Sequence, residues 1–282
     1  MDMTTTEGWH LPDRVRLTDG EVAAGVVGDG PPVVLTHGTP AWSFLWRSVV
    51  PALAATHRVH VWDLLGFGDS SADPGVRPTI ARQARALAEL VEHWGVTDAV
   101  LVGHDIGGGI TARAHLVEGV PARALVLMDA AVIGPWNTPF TEHQQRYPEA
   151  YRTMPNDAFT DLIATRLRTA THNPMSPEVL AGYLRPWAGA GGQQRWVDQV
   201  EAVQHTDTAE AVSRLASVAV PTLVLWGEED RWLPPTVADR LAAAIPGARR
   251  HRIAGGGHFL AEDRPHEVAQ AIAAFADGLP TR

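Results

Sequence analysis

Short Val- and Leu-rich runs alternate along this chain with longer segments of helical period, and that alternation restricts the fold more than any other feature. It is the pattern of a parallel α/β sheet, in which each strand leads into a helix that covers one face. The candidate strands are Arg14 to Thr18, Glu21 to Val27, Pro32 to Thr36, Arg58 to Asp63, Ala99 to Gly103, Ala124 to Asp129, Pro221 to Gly227 and Arg249 to Ile253. Between two of them, Ile80, Ala84, Leu87, Val91 and Trp94 recur at the spacing of one helix face, just after Pro78. Val268, Ile272 and Phe275 give the last helix a similar stripe, with Asp263 and Pro265 at its expected start.

The alternation breaks between residues 134 and 216. Pro135, Pro139, Pro148, Pro155, Pro174, Pro177 and Pro186 fall there, with short amphipathic pieces such as Phe159 to Leu167 between them. Such a stretch predicts several short helices and turns and no further strand-helix unit. Setting it aside leaves about 200 residues, enough for one α/β core. The expected organisation is a core from 1–133 and 217–282, interrupted by a helical cap over 134–216.

Charge and composition exclude several functions. The net charge is −9 and all 23 basic residues are Arg, so the basic footprint that nucleic acids or anionic membranes require is not expected. With no Cys there is no thiol nucleophile and no thiolate metal site. The first residues show neither a basic cluster nor an apolar stretch, and no run is long enough to span a membrane, so a cytoplasmic location is expected. The sequence leaves a monomer and a dimer equally open.

Chemistry concentrates where the strands end. Leu101 to Gly109 reads as a buried strand, then His104-Asp105-Ile106, then three glycines at a helix start. Each Gly costs a helix about 1 kcal/mol against Ala, so something requires the missing side chains. A sharp strand-turn-helix that presents Asp105 at the sheet edge needs small neighbours on both sides, and Gly103 and Gly107 supply them. A second strand ends in His37-Gly38-Thr39-Pro40, where the Thr39 N–H, paired with that of Ile106, could form an oxyanion hole. His37 and His104 read as structural residues. Gly227-Glu228-Glu229-Asp230 and Gly255-Gly256-Gly257-His258 follow two later strands. Asp105, Asp230 and His258 thus stand in the order nucleophile, acid, base, with Asp129 in reserve as an acid at another strand end. Neither a metal cluster nor a phosphate loop is visible, and no cofactor is expected.

These motifs resemble the α/β-hydrolase fold enzymes of the epoxide hydrolase and haloalkane dehalogenase group over nearly the whole chain. His37-Gly38-Thr39-Pro40 matches that group's HGxP motif, Gly66-Phe67-Gly68-Asp69-Ser70 its GxGxS turn, and Gly103 to Gly108 its nucleophile elbow. The resemblance implies a mostly parallel eight-stranded sheet flanked by helices, an inserted cap, and a cofactor-free reaction between water and a small apolar substrate. An Asp nucleophile, ionised at neutral pH with an ordinary pKa of about 3.9, can attack saturated carbon to form an ester. His258, oriented by Asp230, would then activate the water that hydrolyses it.

In the epoxide hydrolases resembled, cap Tyr residues protonate the leaving alkoxide. All three Tyr of this chain, Tyr147, Tyr151 and Tyr183, fall in the expected cap, with Tyr183 favoured for its place before Trp187. The dehalogenases resembled typically place Trp after the nucleophile, where this chain has Ile106, although Trp136 and Trp187 in the insert could compensate. Epoxide opening to a diol is therefore the leading expectation. Dehalogenation and ester or lactone hydrolysis are the alternatives, and a non-catalytic binding relative comes behind them.

Overall fold

Strands that read as unbroken apolar runs need cover on both faces, and the computed structural model, which describes residues 8–279, has that arrangement. Nine strands form one sheet: β1 (Asp13–Leu17), β2 (Gly20–Val27), β3 (Pro32–Thr36), β4 (Arg58–Trp62), β5 (Ser71–Ala72), β6 (Val100–His104), β7 (Ala124–Met128), β8 (Thr222–Gly227) and β9 (Arg249–Ile253). Their order across the sheet is β1-β2-β4-β3-β6-β7-β8-β9, with β5 paired to β2. Pairing is parallel from β4 through to β9 and antiparallel around β2. Every residue of β6, β7 and β8 is buried, whereas the edge strand β9 exposes Arg249, Arg250 and Arg252, charges that discourage pairing with another sheet. The sequence pattern locates all of these strands within one residue except β5, whose two residues carry no period.

The order of strands fixes where a ligand can bind. β3 lies between β4 and β6, and the chain leaves it on one side and returns past it to the other. Crossovers therefore diverge between β3 and β6, the switch point at which open α/β sheets leave a crevice at their carboxyl ends. Thr36 pairs with Gly103, so the residues that follow the two strands emerge side by side.

Helix Ile80–His93 buries Ile80, Ala84, Leu87 and Val91, as its period requires, and Thr79 caps it by accepting from the Arg82 N–H. Helix Pro265–Asp277 buries Val268, Ile272 and Phe275. Asp263 does not cap that helix. Its carboxylate accepts instead from the backbone N–H groups of Gly257, His172 and Asn173, joining the loop before His258 to a distant turn. No helix among the described residues is long and apolar enough to cross a membrane.

Between β7 and β8 the described residues form helices and turns only, the longest being Asn156–Leu167 and Gly189–Ala202. Polar contacts tie this segment to the loops at the carboxyl edge of the sheet. Trp42 Nε1 donates to Gly182 O at 2.9 Å, and Trp187 Nε1 donates to Pro40 O at 2.9 Å. Arg47 grips Glu262 through both oxygens at 2.6 and 2.7 Å, and the Tyr183 hydroxyl donates to the same carboxylate at 2.9 Å. Since Arg47 and Tyr183 are buried, Arg47→Ala strands the Glu262 carboxylate with one neutral donor. We predict a loss of about 2–3 kcal/mol in urea-induced unfolding. A loss below about 0.5 kcal/mol, typical of exposed ion pairs, would show that this clamp does not hold the segment down.

Candidate active site

The site begins at the tight turn between β6 and helix Ile106–Leu116. Asp105 occupies φ 53°, ψ −126°, a region that costs a non-glycine residue about 1–3 kcal/mol. Its backbone is held there by three hydrogen bonds: its N–H donates to Met128 O, and its carbonyl accepts from Gly108 and Ala131. The glycines follow from close approach. A Cβ on Gly107 would collide with the carbonyls of Thr36 and His37, and one on Gly38 would collide with the Asp105 side chain. The chain can bring β3 and β6 this close only where both turns lack side chains.

Asp105 Oδ1 accepts from the Thr39 N–H at 2.7 Å, and its Oδ2 lies 3.4 Å from His258 Nε2. His258 Nδ1 lies 2.9 Å from Asp230 Oδ2. The other Asp230 oxygen accepts from the N–H groups of Trp232 and Leu233 at 2.8 and 2.9 Å, so the carboxylate cannot swing away. Asp105, His258 and Asp230 thus form one chain of contacts. Ile106 opens the helix after Asp105, in the turn whose N–H groups have no helical acceptor.

Burial and charge set the protonation states. Burial disfavours the imidazolium of His258, but the carboxylates of Asp230 and Asp105 outweigh it and push its pKa up to about 10. For His37 and His104 burial outweighs the weaker pull of nearby carboxylates and lowers them to about 3 and about 4. Both serve the backbone. His37 accepts from the Leu64 N–H at 3.0 Å, and its other nitrogen lies 3.0 Å from Gly38 O. His104 lies 2.8 Å from the His258 carbonyl. Asp129 is fully buried beside Asp230, and its Oδ1 accepts from the Gly227 N–H at 2.9 Å. Burial and the Asp230 charge raise its pKa well above the carboxylate range. Asp230, not the reserve residue Asp129, is the partner of His258.

A cavity of about 60 Å³ opens onto Asp105, bounded by Thr39, Ile106 and Leu233 on the core side and by Trp136, Arg166 and Trp196 from the segment between β7 and β8. The Trp232 ring, also in its wall, stacks on His258 with centroids 4.9 Å apart.

A family model described as alpha/beta hydrolase fold matches residues 31–265. The chain belongs to the α/β-hydrolase fold family. Among its relatives is a haloalkane dehalogenase of Mycobacterium marinum, 33% identical over 96% of this chain and 91% of its own length. Haloalkane dehalogenase 2 of Mycobacterium tuberculosis is 30% identical over 87% of each chain. The crystal structure of an α/β-hydrolase fold protein from Burkholderia ambifaria superposes with a TM-score of 0.91 at 32% identity, covering 94% of this chain and 98% of that one. The chain is a hydrolase with haloalkane dehalogenase-like homologues, and its small-molecule reaction uses water.

The aromatic residues expected over this hydrolase's site divide unevenly. Trp136 lines the cavity, its Nε1 3.5 Å from Thr208 Oγ1. Trp187 does not; its ring packs against Phe67 and Trp196 and its N–H donates to Pro40 O. None of the three Tyr lines the cavity, which corrects the expectation of a tyrosine acid there. Tyr183 is packed against Phe44 and Phe259, and a phenol in such surroundings needs a polar partner, which Glu262 supplies. Tyr151 shares a hydrogen bond with His143, and Tyr147 is 47% exposed. Sequence reasoning missed Gln144, Arg166, Trp196, Gln199 and Trp232, all of them in the cavity wall. A signal existed for one group: Trp196, Gln199, Val200 and Val203 follow the i, i+3, i+4, i+7 spacing of one helix face.

The His258 environment makes a pH prediction. A folded pKa above the ordinary 6.5 means that its stabilisation is complete below about pH 6.5 and is lost as pH rises through about 10. By NMR titration, the His258 imidazole should stay protonated past neutrality in the wild type, and Asp105→Asn should lower its midpoint. A wild-type midpoint below about 7 would contradict the charge balance described above.

Proposed function

We propose that this hydrolase cleaves a carbon–halogen bond through an alkyl ester on Asp105. The observation that carries the reading is the character of the polar groups around the nucleophile. Every Tyr hydroxyl is turned elsewhere, whereas Trp196 Nε1, Gln199 Nε2 and Gln144 Nε2 are buried in the cavity wall without an acceptor. A departing alkoxide needs a proton, which these groups do not readily give. A departing halide needs only N–H donors, which they are. The dehalogenase names of two relatives agree with this choice. In this reading the segment between β7 and β8 is a cap that supplies the donors, in place of a Trp directly after the nucleophile.

The steps follow from the contacts. Asp105 Oδ2 attacks the carbon, the new C–O bond forms as the carbon–halogen bond breaks, and the halide leaves with the bonding electrons. Esterification removes the negative charge of Asp105. One of the two carboxylates that hold His258 protonated is then gone, so the imidazole can lose its proton and become a base. His258 next takes a proton from water, whose oxygen adds to the ester carbonyl. The N–H groups of Thr39 and Ile106 stabilise the oxyanion until it collapses; His258 gives its proton to the departing alkoxide and takes one from the added hydroxyl, and the carboxylate returns. The net change is alkyl halide plus water to alcohol, halide and a proton.

Removing the base should arrest the cycle after its first half. His258→Gln, incubated with small alkyl bromides, is predicted to release one equivalent of bromide per chain and to carry the alkyl group on the Asp105 peptide by mass spectrometry. Turnover should fall at least about a hundredfold. An adduct from epoxides but not from bromides would replace this reading with epoxide opening, and no adduct from either would remove Asp105 as nucleophile.

A further inference from the structure

The cavity wall holds more positive charge and more donors than a departing halide requires. Arg166, in the last turn of helix Asn156–Leu167, lines the cavity with its guanidinium 3.8 Å over the Trp232 ring, the ring that stacks on His258. Among the described residues its guanidinium makes one hydrogen bond, a donation to Thr138 Oγ1 at 3.2 Å. Among the described residues no carboxylate pairs with it, while Arg113 and Arg152 each bind acidic side chains. Burial lowers its pKa to about 10, against the pull of Asp105 and Asp230, so it stays charged at neutral pH. A half-buried cation without a counterion is costly, and a charged ligand would relieve that cost.

The uncommitted side chains around it are mainly donors. Gln199 Oε1 accepts from Thr39 Oγ1 at 2.8 Å, which leaves Nε2 of the same amide unpaired. Gln144 Nε2 and Trp196 Nε1 are buried and unpaired as well, and among the described residues Asn137 Oδ1 is the one fully buried side-chain acceptor of this wall without a partner. A halide can engage two or three such donors. With those donors given to the halide, the Arg166 guanidinium is left over, and its fork matches a carboxylate.

We infer that Arg166 anchors the carboxylate of a short halocarboxylate, holding the carbon that bears the halogen toward Asp105. The inference rests on the carbon–halogen reading above and narrows its substrate to anions. A cavity of about 60 Å³ restricts the chain to a few carbons. Arg166 also offsets the repulsion between the substrate's charge and that of the Asp105 nucleophile.

Binding and turnover test the two readings separately. Propionate, which lacks a leaving group, is titrated into the full chain near neutral pH without chloride, with Trp fluorescence as the readout and propionamide as the neutral control. Propionate should bind saturably and better than propionamide. Arg166→Gln should weaken it about 10- to 100-fold, and Arg166→Lys should restore part of the loss. Turnover is compared for bromopropionate and bromopropane, and the anion's advantage in kcat/KM should shrink about tenfold or more in Arg166→Gln. Propionate that fails to bind, or binds equally to wild type and Arg166→Gln, overturns the anion anchor whatever the turnover shows. Propionate bound through Arg166, with no halide released from any substrate, supports the anchor and overturns the carbon–halogen reading. Halide release with an anion-to-neutral ratio that Arg166→Gln leaves alone overturns the anchor and retains that reading.

Discussion

The approach of β6 to β3 at their carboxyl ends is the constraint on which the rest of the site depends. Gly107 sits against the carbonyls of Thr36 and His37, and Gly38 sits against Asp105. Because the two turns pack without side chains, the Thr39 N–H reaches the Asp105 carboxylate. Because Asp105 is forced to positive φ, its side chain emerges at the crevice and is not buried in the sheet. The bonds from Gly108 and Ala131 to its carbonyl offset the strain, and both partners belong to elements that the sheet already holds in place.

Around that turn, burial acts on four groups with different results. His37 and His104 lack carboxylates close enough to outweigh it, so they remain neutral and bind backbone. His258, equally buried, lies between Asp105 and Asp230 and is driven the other way. Asp129, beside an acid already ordered by two N–H groups, is pushed toward its protonated form. The imidazole is therefore the group most sensitive to a change of charge on Asp105, the change that forming an ester would bring.

Much of the architecture was legible in the chain because its causes are local. A buried parallel strand announces itself by an unbroken Val and Leu run, and helix Ile80–His93 by its period. Asp105 and Thr39 were legible because glycines in a helix start and a Gly-x-Pro turn are poor choices unless close approach demands them. The role of Asp263 was not legible, since its position marks only the start of the last helix, while the groups it binds come from residues 172–173 and 257. The tyrosines were misjudged for a related reason. That all three fall between β7 and β8 says nothing about which way each faces, and Tyr183 was captured by Arg47 and Glu262, residues from the two ends of the chain.

The sequence by itself determined the sheet and the order of its strand-end residues, with Asp105 and His258 among them, because each depends on a few consecutive residues and on the carboxyl-end rule of parallel sheets. Only the tertiary structure decided which of Asp129 and Asp230 meets His258, and which side chains between β7 and β8 face Asp105. Both questions turn on contacts between residues far apart in sequence. Arg166 shows the difference most clearly: in the sequence it is one of 23 arginines, and in the fold it is a cation in the cavity wall with no carboxylate beside it.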